Sequence, residues 1–96
     1  MINKMGFTCP VCGYPGLAEL PWNAEGGASY ENCPSCGIEF GYHDEPAACG
    51  GDDLPREELH KKWRQKWIRE GMRWQSVGVA QPKDWRPMEQ LRNVGG

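Results

Sequence analysis

The chain has 96 residues, 39% of them hydrophobic, which is enough for one small domain. It has no run of about 20 apolar residues to cross a membrane, and its first residues lack the apolar core of a secretory signal. We therefore expect a cytoplasmic protein without membrane contact. The net charge of −2 is unevenly divided, with −7 in residues 1–55 and +5 in residues 56–96, so the two halves should attract each other.

Two cysteine pairs of nearly the same sequence lie in the N-terminal half. We name residues 9–14 (CPVCGY) the first knuckle and residues 33–38 (CPSCGI) the second knuckle. A turn with proline early and glycine late brings both sulfurs of such a pair to one side of the backbone. Four thiolates match a closed tetrahedral zinc site. The predicted metal ligands are Cys9, Cys12, Cys33 and Cys36.

Other uses of the cysteines fit less well. A disulfide within a C-x-x-C pair is strained and redox-active, and stable disulfides are rare in the cytoplasm. The fifth cysteine, Cys49, has no neighbouring cysteine or base, and we interpret it as incidental. Iron is the alternative metal, because four thiolates bind iron and zinc with similar geometry. With four protein ligands no position stays open for a catalytic water, so we predict a structural metal and no enzymatic activity.

Short strands should surround the two knuckles. Residues 38–42 alternate apolar and polar side chains, and Pro15 and Gly16 form a turn signal after the first knuckle. This layout predicts hairpins like those of a zinc ribbon. The apolar side chains expected to shield the metal are Phe7, Tyr30, Ile38 and Phe40. His43 is interpreted as part of a polar turn, or alternatively as an outer contact that orients a thiolate.

A helix is predicted to follow, starting near Leu54. Asp52 or Asp53 would cap it, Pro55 suits its first turn, and Gly71 is a possible stop after an end at Arg69 or Arg73. One apolar stripe of this helix is expected to face the core. It consists of Leu59, Trp63, Trp67 and Trp74.

The last segment completes the predicted fold. Trp85 should anchor the tail, and Pro87 begins a short helix through Leu91. We thus predict a small α+β protein, with a zinc-ribbon lobe in residues 1–53 and an amphipathic Trp-rich helix and ordered tail in residues 54–96. The two parts form one domain overall.

Residues 7–14 (FTCPVCGY) and 30–40 (YENCPSCGIEF) resemble the small bacterial cysteine-rich proteins of the CPCC family. Some members of that family accompany bacterial toxin systems, so the resemblance implies a protein-binding or immunity role. The knuckles also resemble those of rubredoxin, which implies an iron electron carrier. Only 20 residues separate Cys12 from Cys33, and the turn signals typical of rubredoxin are missing between them.

Three functions are compared on this basis. A non-enzymatic zinc module that binds an unidentified partner protein is the preferred interpretation, and a rubredoxin-like redox carrier is one alternative. The other is a nucleic-acid-binding zinc ribbon, in which basic side chains contact phosphates, although an acidic metal lobe opposes such contacts. Those basic residues are Lys61, Lys62, Arg64, Lys66, Arg69 and Arg73.

Overall fold

The computed structural model describes residues 6–45 and 54–94. Helix α1 spans Arg56–Arg69, helix α2 spans Pro87–Gln90, and a 3-10 helix follows at Leu91–Val94. Three antiparallel bridges of one residue pair each lie in the N-terminal half. The predicted helix caps Asp52 and Asp53 and the leftover Cys49 lie outside the described residues.

The bridges in residues 6–45 enclose the knuckles. The pair Phe7–Leu17 closes a hairpin around the first knuckle, and the pair Asn32–Glu39 closes one around the second. A third bridge, between Trp22 and Ala28, lies in the connection between them. Because each pairing is a single bridge without a longer ladder, the zinc-ribbon fold class stays a prediction.

Helix α1 ends at Arg69, as its sequence predicts, but begins at Arg56, two residues after the predicted start. Pro55 precedes it in an extended conformation, and Glu57 and Glu58 occupy its first turn, near the positive end of the helix dipole. At its end Gly71 has a φ of 101°, and its amide bonds to the Ile68 carbonyl at 3.1 Å. This left-handed glycine closes the helix in a Schellman arrangement. Trp74 therefore lies beyond the helix rather than on it.

The core forms around the four cysteines. Helix α1 contributes Leu59 and Trp67, which are 8% and 3% exposed, and the 3-10 helix contributes Leu91. Ile38 and Phe40 are fully buried, as the shield prediction requires.

Two members of the predicted shield are placed differently, since Phe7 is 45% exposed and Tyr30 is 64% exposed. Tyr30 has a φ of 60°, and its ring lies over Gly41, outside the core. Leu17, which bridges to Phe7, is the buried member of that pair. The prediction for these two aromatic residues is therefore wrong.

The tail packs through Trp85. Its ring lies 6.3 Å from that of Trp67 and 5.2 Å from that of Trp74, measured between ring centroids. Its Nε1 donates a hydrogen bond to Gln90 Oε1 at 2.8 Å. Trp85 thus holds the tail against the end of α1, which is the role predicted for it.

Within the described ranges, no helix has the length and apolar character needed to cross a membrane.

Candidate metal centre

The two knuckles have the same backbone hydrogen bonds. In the first, the Cys9 amide bonds to the Tyr14 carbonyl at 2.8 Å and the Gly13 amide to the Cys9 carbonyl at 2.9 Å. The second repeats both bonds, at 2.9 and 2.8 Å. Gly13 and Gly37 close the turns with φ values of 85° and 83°, which a side chain would strain. Equal sequences thus form equal turns.

The structure brings together the four cysteines that the sequence predicts as ligands. Their sulfur atoms all lie within 4.8 Å of one another, and Cys9 Sγ is 4.0 Å from Cys36 Sγ. Cys12 Sγ is 3.7 Å from Cys33 Sγ. A tetrahedral ion with Zn–S bonds of about 2.3 Å places its sulfurs about 3.8 Å apart. The four thiols are free and at most 3% exposed, so the cluster has the size and closure of a four-coordinate metal site.

Burial and hydrogen bonding shift the pKa values of the clustered thiols in opposite directions. Burial raises the pKa of the Cys9 thiol, and it also raises the pKa of Cys36. Hydrogen bonds from the other thiols, led by Cys33, lower the pKa of Cys12. One thiolate is therefore stabilised by its neighbours, whereas four thiolates need a positive ion among them.

Helix α1 contacts both knuckles from adjacent residues. Trp63 Nε1 donates to the carbonyl of Cys36 at 2.9 Å. Arg64 donates from Nε to the Val11 carbonyl at 2.6 Å and from Nη2 to the Pro10 carbonyl at 2.9 Å. Arg64 is one of the basic residues predicted to contact phosphates in the nucleic-acid alternative, but its guanidinium is bonded to the first knuckle.

The tail covers the other side of the first knuckle. Gln90 Nε2 donates to the Cys12 carbonyl at 3.1 Å and to Ser35 Oγ at 3.0 Å, so one amide joins the two knuckles. Asn93 Nδ2 donates to the Gly13 carbonyl at 2.8 Å. A Cβ on Gly13 would lie 2.1 Å from the Gln90 carbonyl oxygen. Glycine is thus required at position 13 both by its positive φ and by the close approach of the tail.

A second polar cluster, missed by the sequence analysis, joins the two halves of the chain. Asp44 is fully buried and accepts hydrogen bonds from His60 Nε2 at 2.7 Å and from Trp22 Nε1 at 2.8 Å. The Gly41 amide also donates to it, at 2.7 Å. Burial alone would raise the pKa of Asp44, but these hydrogen bonds outweigh it and hold the pKa below its usual value. The pairing of Asp44 with a residue of α1 had no local signal in the sequence.

The other residues singled out in the sequence, His43 and the basic residues of the helix, are half-buried or exposed. His43 Nδ1 accepts a hydrogen bond from the Glu39 amide at 2.9 Å, and its ring lies 4.4 Å from that of Trp63. It is thus part of the turn next to the second knuckle. Three exposed basic residues on α1 and one after its end lie along the same part of the chain. We name these four residues the basic row: Lys62, Lys66, Arg69 and Arg73.

Two proteins of Bacillus subtilis (strain 168) are similar to the chain. The uncharacterized protein YozI is 32% identical over 93 residues, which cover 91% of this chain and 71% of YozI. The uncharacterized protein YoaQ is 32% identical over 98 residues, covering 97% of this chain and 76% of YoaQ. The chain belongs to the YozI and YoaQ family.

The similarity to YozI and YoaQ extends over most of the chain and is not confined to one segment. No family model matches the chain, and the resemblance to the CPCC family stays a prediction. No solved structure matches it either.

Proposed function

We propose that this protein is a non-enzymatic zinc protein in which one ion, bound by Cys9, Cys12, Cys33 and Cys36, holds the domain together for binding to another protein. The observation that supports this proposal is the buried cluster of four sulfur atoms, in which two of the sulfur–sulfur distances are 3.7 and 4.0 Å. Four protein ligands leave no open position for a substrate or an activated water, which is the character of structural zinc.

The small size of the domain explains why a metal would be needed. Pairing around the knuckles is limited, in the described part of the chain, to single bridges, so backbone ladders contribute little. A bound zinc adds its binding free energy directly to folding, because the site does not exist in the unfolded chain. Zinc is preferred over iron because it serves this structural role without redox chemistry.

The metal proposal is tested by elemental analysis of the purified protein. We expect about one zinc per chain, with no visible absorption. Cys36→Ser should lose the metal and unfold the N-terminal half, because three remaining thiolates no longer close the site. The matched control is Cys49→Ser, a cysteine outside the predicted ligand set, which should keep both metal and fold.

Two outcomes would contradict this assignment. A red preparation with one iron per chain would favour the rubredoxin-like alternative. Loss of metal in Cys49→Ser with retention in Cys36→Ser would show that the ligand set is wrong.

Protein binding is proposed for the basic row. Trp67 is 3% exposed and the half-buried Trp63 donates its indole N–H to the Cys36 carbonyl, so these two tryptophans of α1 pack on the core. The basic row therefore offers exposed charge on α1 and just after its end, and an acidic surface of a partner protein fits it. The resemblance to the CPCC family supports a partner in a bacterial toxin or immunity system.

Nucleic-acid binding is the alternative, and the exposed basic row is the observation that favours it. The other half of the molecule opposes it, since residues 6–45 contain six acidic residues and no lysine or arginine. A zinc with four thiolates adds two further negative charges. These charges repel phosphate within the Debye length of about 8 Å, and a few phosphate contacts weaken steeply with salt.

The two functions are separated by one pair of variants. We expect a protein partner to be recovered from nuclease-treated lysate of the native bacterium at physiological salt. The double variant Lys62→Glu with Lys66→Glu should lose that partner. Lys83→Glu with Arg92→Glu makes the same charge change at exposed positions of the tail and should keep it.

Direct binding assays with RNA and DNA complete the test. We expect no binding at physiological ionic strength. Submicromolar nucleic-acid binding that is abolished in the Lys62→Glu, Lys66→Glu variant would establish the alternative function instead.

A further inference from the structure

The side chain of Arg64 is directed at the loop that holds the first two cysteines. Its Nε and Nη2 donate to the carbonyl oxygens of Val11 and Pro10, at 2.6 and 2.9 Å. These residues are the two between Cys9 and Cys12, and Val11 is fully buried. The half-buried guanidinium is thus fixed against the backbone of the first knuckle.

One of these contacts leads through a single peptide group to a sulfur atom. The Pro10 carbonyl that accepts from Arg64 belongs to the same peptide group as the Val11 amide. That amide points at Cys9 Sγ, with an N–S distance of 3.4 Å. Hydrogen bonds in such a chain polarise one another, so a cation on the carbonyl strengthens the N–H as a donor. Arg64 therefore acts on the Cys9 sulfur without touching it.

The Arg64 contact matters because the proposed metal site carries excess negative charge. A divalent ion with four thiolates has a net charge of −2 and lies in a buried environment of low dielectric constant. Residues 6–45 contribute no lysine or arginine to offset that charge. Arg64 brings a permanent positive charge from α1 to this half of the molecule.

We propose that Arg64 is a positioning residue of the metal centre, which polarises the first knuckle and stabilises the Cys9 thiolate in the metal-bound state. The inference rests on the proposed metal-binding function and deepens it. Arginine suits the position because its planar fork matches two neighbouring carbonyls, whereas lysine offers a point charge. Trp63, the preceding residue, bonds to the second knuckle, so one turn of α1 holds both.

The test uses the full chain loaded with zinc or with cobalt(II), whose charge-transfer absorption reports the electron density of bound thiolates. We expect Arg64→Met to bind zinc about 10- to 100-fold more weakly, as is typical for the loss of an outer partner of a metal site. Its cobalt charge-transfer band should move to longer wavelength, because a thiolate without a nearby cation gives up electron density more easily. Arg64→Lys should restore most of the band position and only part of the affinity.

Two controls separate this role from simple stabilisation. Lys61→Met removes an exposed charge from the same helix and should change neither readout. Leu59→Ala removes a buried side chain of α1 and should lower stability without moving the band. If Arg64→Met does not fold, Arg64→Gln, which keeps an amide donor without charge, should shift the band in the same direction.

The outcomes distinguish the inference from the proposed function. If Arg64→Met, or Arg64→Gln in its place, has the wild-type band position, Arg64 supports the fold alone and the inference is overturned. If the wild-type protein binds neither cobalt nor zinc, the proposed metal function itself fails.

Discussion

Asp44 shows how one side chain links the two halves of the molecule. Its carboxylate is fully buried, and it accepts hydrogen bonds from His60 on α1 and from Trp22 in the N-terminal half. A buried carboxylate without partners would be costly, but here each oxygen has a donor. The same donors hold the pKa of Asp44 below its usual value, although burial opposes them. Stability is therefore linked to the ionisation of this group.

The sign of this linkage gives a pH prediction. A carboxyl whose pKa is lower in the folded state stabilises the protein above its unfolded pKa of about 3.9. That stabilisation is lost as the pH falls through the folded pKa. We expect Asp44→Asn to lower the free energy of unfolding by about 1.5–3 kcal/mol at pH 6–7, in the range for hydrogen bonds to charged groups. Denaturant unfolding should show this difference shrinking below about pH 4.

The control for Asp44 is Glu45→Gln at the next position. Glu45 lies 3.9 Å from Arg56 and is partly exposed, so its removal should cost less than about 1 kcal/mol. A difference between wild type and Asp44→Asn that grows as the pH falls would contradict the linkage.

Helix α1 packs on the core through one side of its surface. Its buried side chains are Leu59, His60 and Trp67, whereas Ile68 is 39% exposed. Trp67 packs against the core, and its Nε1 donates to the Arg73 carbonyl at 2.9 Å, just beyond the Schellman end of the helix. One indole thus joins the helix, its termination and the tail ring of Trp85.

Truncation of that indole should be severe. We expect Trp67→Ala to lower the free energy of unfolding by about 3–5 kcal/mol, the usual cost of removing a buried large aromatic side chain. Chemical denaturation of the metal-loaded protein measures it. Ile68→Ala, one residue further along and exposed on one side, should change stability by no more than about 1 kcal/mol. Equal effects of the two substitutions would show that Trp67 is not the packing centre of α1.

At the scale of the whole molecule, the features that sequence predicted well are local ones. The spacing of Cys9, Cys12, Cys33 and Cys36 indicated a common cluster, and the structure brings their sulfurs together. Pro55 and Gly71 marked the start and end of a helix through backbone preferences that need no distant partner.

Contacts between distant residues could not be predicted in the same way. Arg64 with the first knuckle, Asp44 with His60, and Gln90 with Cys12 are side-chain hydrogen bonds set by how α1 and the tail lie on the N-terminal half. A single sequence holds no period or spacing that reports such pairs. The prediction for Tyr30 was wrong because its positive φ and the position of its ring over Gly41 have no signal in the sequence.

The hydrogen bonds from the tail to the first knuckle join residues that are synthesised at different times. Gln90 and Cys12 are 78 positions apart, and Asn93 and Gly13 are 80 apart. Since the chain is made from its N-terminus, all four clustered cysteines are synthesised before α1 and the tail. The proposed ion would therefore meet the four thiols before the residues that cover them are made. In the finished protein, release of that ion would require local opening of the tail over the first knuckle.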